Sequence, residues 1–164
     1  MTVLPMPCQL ILYPMPNRTL RLDDFLPYRL SFTSNLVSET VAGTSQSLFD
    51  LRIPEWRVIA VVAEHEGISQ LDIGLRTRMD KVTVSRAARS LEERGIVRRE
   101  ANEDDARSLW LSLTAEGRRI YVKVIPAAVE LEREVLHGFT AKEVAVLEGL
   151  LVRVEEAAAR VLAK

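Results

Sequence analysis

Between Ser69 and Thr114 the chain carries helix, turn and strand signals in such close order that few folds can accommodate them. Ser69 with Asp72 three residues on resembles a capping box and opens a short helix to about Arg76. Asp80 caps a second helix that runs to about Arg94, and Gly95 stands where a helix-ending glycine is expected. Ile96-Val97-Arg98-Arg99 reads as a short strand and Asn102-Glu103-Asp104-Asp105 as turn chemistry. Ser108-Leu109-Trp110-Leu111-Ser112-Leu113 alternates polar and apolar, as a half-buried strand does. Two helices around a tight turn, followed by a hairpin, predict a winged helix-turn-helix.

Charge sharpens that reading. The whole chain has 22 basic and 23 acidic residues, so its net charge of −1 gives no hint of nucleic-acid binding. From Arg76 to Arg89, however, five basic residues (Arg76, Arg78, Lys81, Arg86 and Arg89) face one acid, Asp80, a local net of +4. Helical spacing packs Val84, Ala88 and Leu91 against the first helix, leaving Lys81, Thr83, Ser85, Arg86 and Arg89 on the open face and its flanks. A major groove ~12 Å wide admits one such helix, and small polar residues at its start let the backbone come close. Thr83 and Ser85 can donate to phosphates or base edges, and Arg86 and Arg89 can fork onto guanine or phosphate. Arg107, near the hairpin tip, can enter the narrow, negative minor groove, with Asp105 close enough in sequence to orient it. A basic helix alone fits a solvated surface equally well, and Arg107 alone an exposed loop. The two together favour duplex DNA.

The flanking sequence is helical. Residues 1–22 hold Pro5, Pro7, Pro14 and Pro16, which forbid a long helix and predict an irregular arm. That arm is either a tail or, through Leu10-Ile11-Leu12-Tyr13, a segment that packs on a partner subunit. A helix is expected from Asp23 to about Ser45, and a buried one from Pro54 to near Gly67. Thr114 caps a helix to about His137 with Pro126 inside it. Thr140-Ala141-Lys142-Glu143 opens the last helix, whose Val144, Leu147, Leu150, Leu151, Val154 and Val161 line one face. The expected fold is mostly α, in the order α-α-α-α-β-β-α-α, with the wing as its hairpin. The winged element spans residues 54–113 of a single domain over 23–164.

Several chemistries find no support. Cys8 is the single cysteine, so no disulfide framework or cysteine metal cluster forms within one chain, which fits a reducing cytoplasm. His65 and His137 have no cysteine near them, and no metal set is expected. No apolar run of ~18 residues predicts a membrane span. No nucleophile–base pair or glycine-rich phosphate loop is legible, so neither an enzyme nor a cofactor is expected.

The residues Met79-Asp80-Lys81-Val82-Thr83-Val84-Ser85-Arg86 and Leu91-Glu92-Glu93-Arg94-Gly95-Ile96-Val97-Arg98-Arg99 resemble the MarR family of bacterial regulators. So do Asp105-Ala106-Arg107-Ser108 and Leu111-Ser112-Leu113-Thr114-Ala115-Glu116-Gly117. The resemblance implies a homodimer joined through the helices of 23–45 and 114–164, set on a pseudo-palindromic operator with half-sites about one DNA turn apart. It carries Lys81, Thr83, Val84, Ser85 and Arg86 over as the groove-reading face and Arg107 as the wing arginine. Two departures stand out. Ile73-Gly74 replaces the usual Leu-Ala, which weakens that helix by ~1 kcal/mol. Arg78 occupies a turn position where the family often has glycine, so a left-handed backbone there would be strained.

The resemblance also implies a repressor released by a small molecule bound in a cleft between the dimer helices and the DNA-binding lobe. Tyr28, Arg29, Phe32, Trp56 and Arg57 are the candidates, because an arginine beside aromatic rings suits an aromatic carboxylate. Asp24-Phe25-Leu26-Pro27-Tyr28-Arg29-Leu30 is similar to members that sense phenolic or hydroxycinnamic acids or their thioesters. Tyr28, Phe32 and Trp56 serve equally well as core or dimer residues. The competing function is a winged-helix protein-interaction module without DNA binding.

Overall fold

The computed structural model describes residues 20–65, 67–101 and 109–164, with backbone alone for 41–42 and 44–49. The expected arm falls almost wholly outside this range. The element order is a 3-10 turn Leu22–Asp24, then α1 (Leu26–Phe49), α2 (Ile53–Glu64), β1 (Ile68–Ser69), α3 (Gln70–Thr77), α4 (Lys81–Glu93), β2 (Val97–Ala101), β3 (Leu109–Leu113), α5 (Ala115–Val135) and α6 (Ala141–Leu162). The chain divides after Ser34 into two compact units. The mostly helical fold with a small antiparallel sheet is the one the sequence predicts, with one strand more.

That extra strand is β1. It pairs antiparallel with β3 (Ile68 opposite Leu111, Ser69 opposite Trp110), so the sheet runs β1-β3-β2. The hairpin strands pair from Val97 opposite Leu113 to Ala101 opposite Leu109. α1 continues to Phe49, past the expected end near Ser45. Asp50 beyond it takes a left-handed φ of 52°.

One core holds the second unit together. Leu51, Val58 and Ile59 meet Ile73, then Val84, Ala88 and Leu91, then Ile96, Val97 and Leu111, with Ile120 and Val124 closing it from α5. Gly95 ends α4 at φ +67°, the left-handed residue that a tight helix-to-strand corner requires. Thr114 caps α5 by accepting the Gly117 N–H at 3.1 Å, and its hydroxyl donates to the Gly95 carbonyl at 2.6 Å. At α6, Thr140 accepts the Glu143 N–H at 3.3 Å while Glu143 accepts the Thr140 N–H at 2.8 Å, the reciprocal box expected.

The core admits one charge. Glu55, in the first turn of α2, is 2% exposed. Its carboxylate accepts the Arg52 N–H at 2.8 Å and lies 3.3 Å from the Arg52 guanidinium and 3.7 Å from that of Arg94. Burial by itself would raise its pKa. The Arg52 N–H, the Ser90 hydroxyl and the two guanidiniums outweigh burial and hold it below the usual value. Arg94 also donates to the Asp50 carbonyl at 3.0 Å. The end of α4 is thereby fastened to the α1–α2 connection.

On α6 no residue is buried, and Leu147, Leu150, Leu151 and Val154 are all more than 40% exposed.

Candidate nucleic-acid interface

The helix-turn-helix is set by its caps. Ser69 accepts the Asp72 N–H at 3.1 Å and its hydroxyl donates to the Asp72 carboxylate at 2.6 Å, so α3 starts where the sequence says. At the other end Thr77 donates to the Ile73 carbonyl at 2.6 Å. A Cβ on Gly74 would come within 3.2 Å of the Met79 carbonyl, so the small residue there lets the turn close. Asp80 then caps α4, accepting the Thr83 N–H at 2.9 Å and the Thr83 hydroxyl at 2.7 Å. Those two bonds, the hydroxyl's first, keep the Asp80 carboxyl below its ordinary pKa.

Arg78 ends α3 in the left-handed region, at φ 56° and ψ 23°. The strain expected at this non-glycine turn position is therefore present; a left-handed L-residue costs roughly 1–2 kcal/mol. Arg78→Gly should relieve it, partly offset by glycine's extra chain entropy, for a net gain of about 0.5–1 kcal/mol. Chemical denaturation should show that gain. DNA affinity should move the other way, because an exposed cation is lost. A variant that gains in both would remove Arg78 from the interface.

α4 has two opposed stripes. Val84, Ala87, Ala88 and Leu91 form the buried one, each 5% exposed or less. Two residues along an α-helix is about 200°, so the same spacing shifted back by two gives positions 82, 85, 86 and 89 on the outward side. Arg86 and Arg89 are exposed there and Ser85 half-exposed, with Lys81 exposed at the helix start. Val84 is 0% exposed, so it leaves the groove-reading set: its spacing with Ala87, Ala88 and Leu91 commits it to the core. The Thr83 hydroxyl donates its proton to Asp80 and offers only its lone pairs outward.

The basic residues separate into two groups. Arg98 pairs with Glu100 at 2.8 Å and Arg99 with Glu92 at 3.0 Å. Arg76, Arg78, Lys81, Arg86 and Arg89 make no ion pair among the described residues. Positive charge is thus neutralised along the first wing strand and left available on α3, the turn and α4. Arg107 and Asp105 lie outside the described residues, between the hairpin ends Ala101 and Leu109.

The expected ligand residues fall into two sets. Tyr28, Arg29 and Phe32 line one open depression of about 410 Å³ together with Asp23 and Thr33, with the Tyr28 and Phe32 ring centroids 6.2 Å apart. Trp56 is half-buried and stacks on Tyr121 at 6.0 Å, and Arg57 donates to the Ser38 hydroxyl at 3.3 Å. Tyr121 was not legible as a site residue, because only the packing of α5 on α2 brings it to Trp56. Asp23 places an acid beside Arg29 in the first depression. Among the described residues, no group of three or more His, Cys, Asp or Glu is placed to hold a metal ion, and no helix is long and apolar enough to cross a membrane.

Comparison with known proteins agrees with this geometry. The MarR family model matches residues 49–108, from the α1–α2 junction to the wing. The transcriptional regulator HosA of Escherichia coli O157:H7 is 32% identical over 108 residues, covering 66% of this chain and 80% of that protein. The homoprotocatechuate degradative operon repressor of Escherichia coli is 28% identical over 97 residues, 59% of this chain and 66% of that one. In structure, a MarR/EmrR family transcriptional regulator from Acinetobacter sp. ADP1 aligns with a TM-score of 0.79 at 23% identity, over 86% of this chain and 99% of that chain. At that identity the likeness concerns the fold.

Proposed function

The chain belongs to the MarR family and is a transcriptional regulator, not an enzyme, and from that premise we propose that it binds a pseudo-palindromic duplex as a homodimer and represses until a small aromatic acid releases it. The observation that carries the DNA reading is the outward stripe of α4. Its cations have no partner among the described residues, and it lies opposite a stripe that is wholly in the core. A recognition helix presented this way reaches base edges from its N-terminal turns, and the wing places Arg107 toward the adjacent minor groove.

The apolar stripe of α6 supports the dimer, since Leu147, Leu150, Leu151 and Val154 are exposed in a single chain. Two recognition helices related by a twofold axis then meet two half-sites. The effector class rests on Tyr28, Arg29 and Phe32 around one depression, and on Trp56 stacked against Tyr121 beside Arg57. A similar protein is named a repressor of a homoprotocatechuate degradative operon, an aromatic-acid context. A phenolic or hydroxycinnamic acid or its thioester supplies a ring for the aromatics and, as the free acid, a carboxylate for an arginine.

Fluorescence anisotropy on a duplex selected from a random pool tests the DNA reading. With several phosphates neutralised per subunit, the logarithm of affinity should fall against the logarithm of salt with a slope steeper than about −4. Absence of binding even at low salt would leave a winged-helix module for protein contacts instead. A thermal-shift screen of aromatic acids and thioesters, each hit then titrated into the DNA complex, tests the release. Hits that raise the melting temperature without loosening DNA would remove the effector from the switch.

A further inference from the structure

Val82 is 56% exposed, although it is a large apolar side chain on the most basic element of the protein. It is the second residue of α4, one turn before Ser85 and Arg86 and two before Arg89. It therefore stands on the outward stripe with the uncommitted cations, directly after Lys81. Nothing in the fold calls for valine here. It is absent from the core, and a β-branched residue at an exposed helical position is a poorer helix former than alanine.

The position does suit one partner. The first turns of a recognition helix are those that reach base edges. In the major groove the apolar group on a base edge is the C5-methyl of thymine, which no other base carries. We infer that Val82 reads a thymine methyl in each half-site, so that it determines sequence preference while the neighbouring cations supply affinity. This rests on the DNA reading above. It also exchanges one valine for another in the reading face: Val84 goes to the core and Val82 takes the apolar role in the groove.

The test is a uracil scan. The wild-type chain first selects its preferred duplex from a random pool, and each thymine is then replaced by uracil, symmetrically in both half-sites. Affinities are measured for wild type and for Val82→Ala, a change at an exposed site where alanine is the better helix former. Removing one buried methyl from each half-site should weaken the wild type roughly fourfold per methyl, about fifteenfold in all. At that position Val82→Ala should lose less than about twofold, since its own contact is already gone, whereas other uracil positions should affect both proteins alike. The same variant, used for selection, should enrich duplexes with relaxed preference at that base pair. Equal uracil costs for the two proteins at every position overturn the inference, as does a selected site with no thymine at any shared half-site position. A wild-type chain that enriches no duplex overturns the DNA reading and this inference together, which separates the two failures.

Discussion

Gly117→Ala is expected to lower stability by about 3 kcal/mol or more and the melting temperature by roughly 6–12 °C. A Cβ at Gly117 would lie 2.1 Å from the Ile96 carbonyl oxygen, 3.1 Å from its carbon and 3.2 Å from Leu113 Cδ2. Backbone, not a flexible side chain, stands in the way. That carbonyl is itself held, because it accepts the Thr114 N–H at 3.1 Å and the Thr114 hydroxyl at 3.2 Å. The first turn of α5 cannot lift off this corner without losing those bonds and the cap that joins Thr114 to Gly117. Overpacking alone costs about 1–3 kcal/mol, and each hydrogen bond lost adds about 1 kcal/mol. Thermal unfolding followed by circular dichroism measures the effect. Gly149→Ala is the control: a Cβ there meets nothing within 4 Å, and its position in α6 lies about 200° from Leu147 and Leu151. A Gly117→Ala protein melting within about 2 °C of wild type would show that the corner opens easily.

Replacing Arg86 and Arg107 together by alanine is expected to reduce operator affinity about a thousandfold or more. Each bidentate arginine contact is worth about 1–3 kcal/mol, and a dimer loses two of each kind, so the lower bound is about 4 kcal/mol. Arg86 is exposed and makes no ion pair among the described residues, so its removal should leave the melting temperature unchanged. Arg98→Ala provides the contrast. Its guanidinium already pairs with Glu100, which is also bound to the Ser112 hydroxyl at 2.6 Å, and affinity should change less than about threefold. Wild-type affinity in the double variant would sink the proposed interface.

Much of this was legible because it is local. Ser69, Asp80, Thr114 and Thr140 each bond the N–H three residues on, a pattern that depends on spacing alone. Gly95 and the strained Arg78 follow likewise from the backbone demands of two turns. What escaped the sequence depends on distant partners. β1 is two residues long, too short to show alternation, and exists because Leu111 and Trp110 lie beside it. Glu55 looked like an ordinary acid at a helix start. Its burial comes from Arg94 and Ser90, brought over it by the packing of α4 on α2. Val82 and Val84 show a further limit, since two valines two residues apart on one helix are told apart only by which side meets the core.

The fastening of Arg94 to Asp50 and Glu55 makes α4 a lever with a defined fulcrum. At 13 residues the helix is about 20 Å long, and its reading end is the one far from that anchor. A tilt of about 10° at the anchored end therefore carries Lys81 and Val82 sideways by about 3 Å, the length of a hydrogen bond. Angular changes too small to disturb the core are amplified over the arm into a full loss of register with the bases.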